Sequence, residues 1–193
     1  MALDSMREIF EKAAAGQIPF WQVILETDME QRQVTAEQSM EKMRVTWQAM
    51  LESVTAYQGT ERSRSGLVGG DGEKMRQYVE NGKGLCGAYL REVVATALSV
   101  GESNACMRKI VAAPTAGACG VLPAVLVPLY QAGMVSEEQI LQALYAASGI
   151  GAVIGYRACI AGAAGGCQAE IGTASAMAAG ALTSIQGGSA VQI

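Results

Sequence analysis

The stretch AASGIGAVIGYRACIAGAAGGCQAEIGTASAMAAGALTSIQGG, residues 146–188, decides what kind of fold this chain can form. It consists mainly of Ala, Gly and Ser, with scattered Ile, Val and Met. Helices with so little side-chain bulk can approach one another closely, and they depend on that packing because each interior Gly costs about 1 kcal/mol relative to Ala. We therefore expect an all-α fold, a compact helical domain with Gly/Ala-rich buried helices and long functional loops.

One segment of this stretch, GGCQAEIG at residues 165–172, combines a thiol, an amide and a carboxylate between glycines. Glycines allow the backbone to come close to a bulky inorganic or substrate group held by a thiol. We therefore place the chemistry at Cys167, which Gln168 and Glu170 follow. From pattern alone, most of the other cysteines are interpreted as buried small hydrophobes. These cysteines are Cys86, Cys106, Cys119 and Cys159.

The inventory of metal ligands is small, because the sequence contains no histidine and no C-x-x-C pair. Zinc patterns therefore fail, and a self-contained iron-sulfur cluster lacks its usual local spacing. The absence of histidine also removes the commonest general base. A base must then be a carboxylate, a lysine, a thiolate, or a group on another chain.

Length and composition predict one domain, residues 1–193, since a chain of this size that is 50% hydrophobic can bury one sizeable core. The net charge of -4, with dispersed Lys and Arg, argues against a nucleic-acid partner. No basic segment followed by an apolar core opens the chain, so a cytoplasmic location is expected. Two apolar runs, residues 118–130 and 149–166, are interpreted as buried core and not as membrane spans, because prolines or an arginine interrupt them.

Upstream of the small-residue stretch, helix signals recur along the chain. Ser5 precedes a helical pattern that Gly16 can end, and two S/T-x-x-Q capping boxes begin at Thr35 and Ser136. A short helix is predicted over residues 73–79 and a buried helix over 85–100, followed by a turn at 101–105. The pattern GIGAVIG, residues 149–155, resembles a dinucleotide fingerprint but follows a helical run where a strand is required, which argues against a nucleotide site.

Two loops are candidates for binding an anion. Residues 58–72 form a long run of Gly, Ser, Thr and charge in which Arg62 and Arg64 stand near several glycines. A flexible surface connection explains this run equally well. Residues 112–123, AAPTAGACGVLP, lead through small residues into a helix whose first turn can hold Pro123, and an ordinary loop-to-helix junction is the simpler interpretation.

Several of these segments together resemble one protein family. SRSGLVGGD at 63–71, SNA at 103–105, AAPTAGACGVLP at 112–123 and GGCQAE at 165–170, followed by TASAMAA at 173–179, are similar in sequence and order to the alpha chain of bacterial iron-sulfur-dependent L-serine dehydratases. The resemblance implies a helical catalytic domain, an oxygen-sensitive 4Fe-4S cluster, and conversion of L-serine to pyruvate and ammonia.

The resemblance also implies roles for particular residues. In the family three main cysteines hold the cluster, one iron stays open for substrate, and Cys167 matches the first of the three. An open iron can act as a Lewis acid on the serine hydroxyl while a base removes the α-proton. No catalytic base is assigned in this chain. The segments associated with the substrate pocket correspond to Ser65, Gly66, Leu67, Pro114, Thr115, Ala116 and Gly117.

The sequence departs from the family pattern in two respects. The family's other two cluster cysteines lie in a Cys-Asp-Pro-Val-Gly-Gly type segment and a Pro-Cys after it, whereas this sequence ends with GGSAVQI, residues 187–193, before either appears. Neither Cys119 nor Cys159 is at a ligand position of the family. The family's Ser-Ser-Ser-His-Thr type motif lies on a separate beta chain. We therefore expect a C-terminally shortened alpha chain whose set of cluster ligands is incomplete. We also expect a beta subunit as its partner, and the chain could in addition form a homo-oligomer.

Two other functions remain open at this point. The first is a helical assembly or interaction domain without activity of its own, which could be what remains after the alpha chain is shortened. A pyridoxal-phosphate lyase would use Lys109, which lies close to the Pro114 loop, although a lysine there is more often a solvated charge and no phosphate cup accompanies it.

Overall fold

The computed structural model describes residues 3–82 and 84–193. Within these residues it contains eight α-helices, one short 3-10 helix and no strand, so the all-α prediction is confirmed. The α-helices are α1 Met6–Gly16, α2 Phe20–Arg32, α3 Ala36–Thr55, α4 Asp71–Glu80, α5 Ala88–Ala105, α6 Val121–Gln131, α7 Glu137–Arg157 and α8 Gly162–Ile185, and the 3-10 helix is Ala116–Ala118.

The chain divides into two compact units. Unit 1 comprises Met1–Trp47 and Val135–Ile193, and unit 2 comprises Gln48–Met134. The prediction of a single domain stays a prediction, because a division of contacts does not show whether either unit folds alone.

The predicted helix starts are confirmed by their caps. The Ser5 hydroxyl accepts a hydrogen bond from a first-turn N–H group of α1. At the start of α3 the Thr35 hydroxyl accepts from the Gln38 N–H group and the Gln38 side chain accepts from the Thr35 N–H group, at 3.2 and 3.0 Å. Ser136 and Gln139 form the same reciprocal pair at α7, at 3.2 and 2.9 Å. These local signals suffice because each cap satisfies N–H groups that the helix leaves unpaired.

In unit 1 the small residues allow α7 to pack against α2 and α8. A Cβ atom added at Gly149 of α7 would collide with Ile24 of α2, and one added at Gly180 of α8 would collide with Ile150. The buried residues of α8 all lie within residues 173–181, whereas its first half, which includes Cys167, is mostly exposed. Gly/Ala-rich buried helices are therefore present, but burial stops short of the predicted reactive segment.

The segment GIGAVIG, residues 149–155, lies inside α7. A dinucleotide fingerprint needs a loop that ends at a helix N-terminus, so this segment cannot hold a pyrophosphate in that way. No helix in the described part of the chain is both long and apolar enough to cross a membrane.

In unit 2 α5 differs from the prediction at both ends. It begins three residues later than predicted, and Leu85 and Cys86 before it are exposed and not buried. It also continues through the predicted turn to Ala105, because Val100, Glu102 and Ser103 are buried on it and outweigh the weak helix propensity of Gly101. The helix is buried chiefly on the face that includes Ala95 and Ser99, so the predicted burial is confirmed for only part of it. Packing against neighbouring helices therefore decides which residues are buried, and the apolar run in the sequence does not.

Candidate functional site

The tip of the 58–70 loop carries the predicted substrate residues Ser65, Gly66 and Leu67. The Ser63 N–H group donates to the Val68 carbonyl and the Gly66 N–H group to the Ser63 carbonyl, both at 2.8 Å. Gly66 has a φ of 74°, which permits the tight turn without the steric cost that a Cβ atom would bring. Ser65, Gly66 and Leu67 are all exposed, so the tip is a closed turn that presents its side chains to solvent.

Arg62 supports the base of this loop. Its Nη1 atom donates to the carbonyls of Gly59 and Glu61, at 3.0 and 2.6 Å. A Cβ atom at Gly70 would lie 2.7 Å from the Arg62 guanidinium, so only glycine allows this approach. Arg62 therefore holds the backbone of the loop in place, and its predicted role in binding an anion stays a prediction.

A buried carboxylate joins the two ends of the loop. The Tyr57 hydroxyl, just before the loop, donates to Glu102 Oε2 at 2.5 Å, and the Asp71 N–H group, just after it, donates to Glu102 Oε1 at 2.6 Å. Glu102 is only 5% exposed. Burial, together with the hydrogen bond to Glu102, raises the pKa of Tyr57 to about 12.

The sequence patterns missed Glu102, because it lies where a turn was predicted. One signal could have revealed it. Glu102 follows Ser99 by three positions and Ala95 by seven, which places it on the same face of a continuous α5 as these buried residues. An acidic residue on a buried face is seldom left without hydrogen-bond donors.

The second candidate loop leads into α6 as predicted. The Ala113-Pro114 peptide bond is cis, Thr115 is extended, and Ala116 and Gly117 enter the 3-10 helix before α6 begins. Pro123 lies in the first turn of α6. The Asn104 side-chain amide of α5 donates to the Ala116 carbonyl at 3.0 Å, which ties this loop to the same helix end that carries Glu102.

Cys167 lies immediately after a kink in α8. Gly166, with φ 80° and ψ 166°, interrupts the helical geometry, and this conformation favours glycine. Cys167 is exposed and has a free thiol. It borders an open depression of about 400 Å³ on one face of α8, together with Gln168, Ile171, Gly172 and Ser175. The thiol is therefore accessible from solvent.

The other thiols differ from their interpretation as buried small hydrophobes. That interpretation is confirmed for Cys119, which is 1% exposed, and wrong for Cys86 and Cys159, which are exposed. Small-residue surroundings place a cysteine near backbone without burying it. In residues 3–82 and 84–193 no three Cys, Asp or Glu side chains come together as a group that could hold a metal ion. Cys167 therefore does not belong to a group of three such side chains within the part of the chain that the structure describes.

The predicted site residues fall into both units. The tips at 65–67 and 114–117 belong to unit 2, where Glu102 and Asn104 hold the two loops, and Cys167 belongs to unit 1. Lys109, the anchor of the pyridoxal-phosphate interpretation, forms an exposed ion pair with Glu52 and so behaves as a surface charge.

Unit 1 also contains a cavity of about 430 Å³, which no sequence pattern predicted. A hydrogen-bonded chain lines it. The Ser39 hydroxyl donates to Asp28 Oδ2 at 2.5 Å, and Arg32 Nη1 donates to the same oxygen at 2.8 Å. Because the Ser39 proton is used in this way, the Tyr145 hydroxyl must donate to Ser39 Oγ, 2.6 Å away. Burial raises the pKa of Tyr145.

Comparison with known proteins gives one consistent result. The family model described as serine dehydratase alpha chain matches residues 15–193. The chain is 36% identical over 188 residues to the probable L-serine dehydratase alpha chain of Bacillus subtilis, which covers 97% of this chain and 63% of the relative. It is also 36% identical over 191 residues to the L-serine dehydratase alpha chain of Peptoniphilus asaccharolyticus, which covers 98% of this chain and 65% of the relative.

A shorter match concerns L-serine dehydratase TdcG of Escherichia coli, which is 47% identical over 98 residues, half of this chain and 22% of the relative. The chain therefore spans just under two thirds of the length of the two alpha chains that it matches almost throughout.

Proposed function

This chain belongs to the serine dehydratase alpha-chain family, and from that membership we propose that it is the alpha subunit of an L-serine ammonia-lyase, which converts L-serine to pyruvate and ammonia. One observation carries the proposal. The two segments that the resemblance assigns to the substrate pocket form loops held by the same end of α5, through Glu102 and Asn104. Two loops of unrelated function would not need a common support.

The reaction is an α,β-elimination of water. A base takes the α-proton of L-serine, the Cα–Cβ double bond forms as the hydroxyl group leaves, and the resulting aminoacrylate tautomerises and hydrolyses to pyruvate and ammonia. The exposed Ser65 hydroxyl and the Thr115 hydroxyl supply donors and acceptors for the polar groups of L-serine. Because the chain contains no histidine, the base is a carboxylate, a lysine or a thiolate, or a group on the beta subunit that the family resemblance implies.

The cofactor proposed is a 4Fe-4S cluster, for which this chain supplies Cys167. The fit is partial. An exposed thiol beside a glycine kink and an open depression leaves room for a cluster, and thiolates are its usual ligands. The described residues contain no group of three or more Cys, Asp or Glu side chains that could hold a metal ion, so we propose that further ligands come from outside these residues. When bound, the cluster would supply a Lewis acid for the departing hydroxyl group.

Substitution of cysteines tests the ligand assignment. Under anaerobic conditions we use an alpha chain extended through the family's other two cluster cysteines, in complex with the proposed beta subunit. We expect Cys167→Ser to lower the bound iron and sulfide of this complex and to reduce pyruvate formation at least 100-fold. Cys159→Ser is the matched control, because Cys159 is also an exposed thiol near the start of α8. It should leave both measurements unchanged. Full iron content and activity in Cys167→Ser would contradict the assignment.

A second candidate function is an assembly domain without activity of its own. Leu90, Val94 and Leu98 recur every four residues on α5 and are 39–48% exposed, which is typical of a helix face that packs against another surface. If this is the function, the chain will associate with its beta subunit but the complex will form no pyruvate from L-serine.

A further inference from the structure

Helix α4 begins without a capping side chain of its own. The N-cap residue is Gly70, which has no side chain that could accept a hydrogen bond. Residues distant in sequence replace it. Glu102 accepts from the Asp71 N–H group at 2.6 Å, and the Tyr57 hydroxyl accepts from the Glu73 N–H group at 3.1 Å. Two of the N–H groups that a helix start leaves unpaired are thus satisfied.

Glu102 and Tyr57 act as one unit in this cap. The Tyr57 hydroxyl donates a hydrogen bond to Glu102 Oε2, and its oxygen accepts a hydrogen bond from the Glu73 N–H group. Both oxygens of the carboxylate therefore receive a hydrogen bond. A negative charge at a helix N-terminus is favourable, and this explains how a carboxylate that is only 5% exposed is stabilised here.

The place of this cap in the chain gives it a consequence for the loop. Tyr57 precedes the 58–70 loop and Asp71 follows it, so Glu102 holds the two ends together. The tip is closed by its own hydrogen bonds between Ser63 and Val68, and the base by Arg62. A loop with such internal bonds transmits the position of its ends to its tip.

The packing around the cap leaves little freedom. A Cβ atom at Gly72 would lie 2.8 Å from Ser99 Oγ and 2.9 Å from the Tyr57 hydroxyl oxygen. Two residues beyond Glu102, Asn104 holds the other substrate loop through the Ala116 carbonyl. The last turns of α5 thus fix both loops by hydrogen bonds.

We propose that Glu102 is a positioning residue for L-serine: through Tyr57 and the first turn of α4 it holds the 65–67 tip where the substrate binds. This inference rests on the proposed function. Glu102 itself need not touch L-serine, since its effect passes through the backbone of the loop.

Hydrogen exchange and steady-state kinetics of the complex with the beta subunit test this role. Glu102→Gln keeps the shape of the side chain but replaces one acceptor oxygen with an NH2 group. This group cannot accept a hydrogen bond from the Tyr57 hydroxyl or the Asp71 N–H group. We expect amide exchange over residues 63–73 to rise at least tenfold, and KM for L-serine to rise about tenfold with kcat changed less than threefold, because loss of one charge-assisted hydrogen bond has an effect of that order.

Three further variants make the test specific. Glu92→Gln removes an exposed carboxylate from the same helix and should change neither measurement. Tyr57→Phe removes one of the two links and should give a smaller rise in exchange and KM. Glu102→Asp, which restores the charge on a shorter side chain, should recover part of the wild-type KM. The Tyr57→Phe variant keeps the inference testable if Glu102→Gln does not fold.

The outcomes distinguish the inference from the proposed function. Unchanged exchange over residues 63–73 in Glu102→Gln, or faster exchange with an unchanged KM, would overturn the positioning role. If the unsubstituted complex forms no pyruvate, the proposed function fails and the role in L-serine binding fails with it. The exchange measurement still decides, in that case, whether Glu102 orders the loop.

Discussion

At the scale of single residues, one partly buried and one buried polar contact link positions far apart in sequence. Tyr57 and Glu102 are 45 residues apart, and Ser39 and Tyr145 are 106 residues apart. Neither pair could be predicted from sequence, because side-chain spacing reveals partners on one helix and not on different helices. The side-chain-poor surroundings of Cys167 and the long loop that contains Gly66 could be predicted, because glycines mark both in the sequence.

The raised pKa of Tyr57 makes a prediction about pH. Because the folded-state pKa of about 12 is above the ordinary value of 10.0, the contribution of Tyr57 to stability is complete below pH 10 and is lost as pH rises through 12. We expect a phenolate absorbance titration of the six tyrosines to show a component near pH 12 that disappears in Tyr57→Phe. A titration identical in the two proteins would contradict this assignment.

The Ser39 contacts make a prediction about stability. Ser39→Ala leaves the hydroxyl of Tyr145, a residue that is 2% exposed, without its acceptor, and should lower the free energy of unfolding by about 1–3 kcal/mol. Tyr145→Phe should cost less, since Ser39 keeps Asp28 as its acceptor. Urea denaturation measures both, with Tyr156→Phe, at a residue that is 66% exposed, as the control. A smaller effect of Ser39→Ala than of Tyr145→Phe would contradict the assigned donor directions.

At the scale of elements, helix starts could be predicted and helix burial could not. Ser5, Thr35 and Ser136 mark helix starts because a cap is a contact between residues three apart. The exposed side of α5 was predicted to be buried, because an apolar run does not show which of its faces meets a neighbouring helix. The continuation of α5 through Gly101 depends on buried residues beyond it and has no local signal.

Two glycine substitutions test the helix packing. Gly149→Ala should destabilise the protein by up to about 2 kcal/mol, because the collision with Ile24 exceeds the gain in helix propensity. Gly101→Ala should stabilise it by about 0.5–1 kcal/mol, since no atom would lie within 4 Å of the new methyl group and the residue is helical. Chemical denaturation measures both. Destabilisation by Gly101→Ala would instead support the turn that sequence alone predicted there.

The cap of α7 gives a further prediction at this scale. Ser136→Ala removes one half of the capping box and should lower the free energy of unfolding by about 1 kcal/mol. Ser136→Asp retains an acceptor at the N-cap and should preserve most of the stability. Equal losses in the two variants, measured by thermal unfolding, would show that the cap does not act through its side-chain acceptor.

At the scale of the whole molecule, the comparison with relatives identifies the family, and the structure identifies which residues hold the loops. The match over residues 15–193 shows the family, and the structure shows that the two predicted substrate loops share a support on α5. Within residues 3–82 and 84–193 the structure shows no group of three or more Cys, Asp or Glu side chains that could hold a metal ion. The motifs could be read from sequence because they are contiguous, whereas the support of the loops depends on tertiary contacts.

The most direct test of the central claim is pyruvate formation from L-serine by an alpha chain that contains these 193 residues and is extended through the family's other two cluster cysteines, together with the proposed beta subunit, reconstituted with iron and sulfide without oxygen. We predict pyruvate and ammonia in equal amounts, with activity lost on exposure to air and in the Cys167→Ser variant. An assembled complex with bound iron that forms no pyruvate from L-serine would contradict the claim.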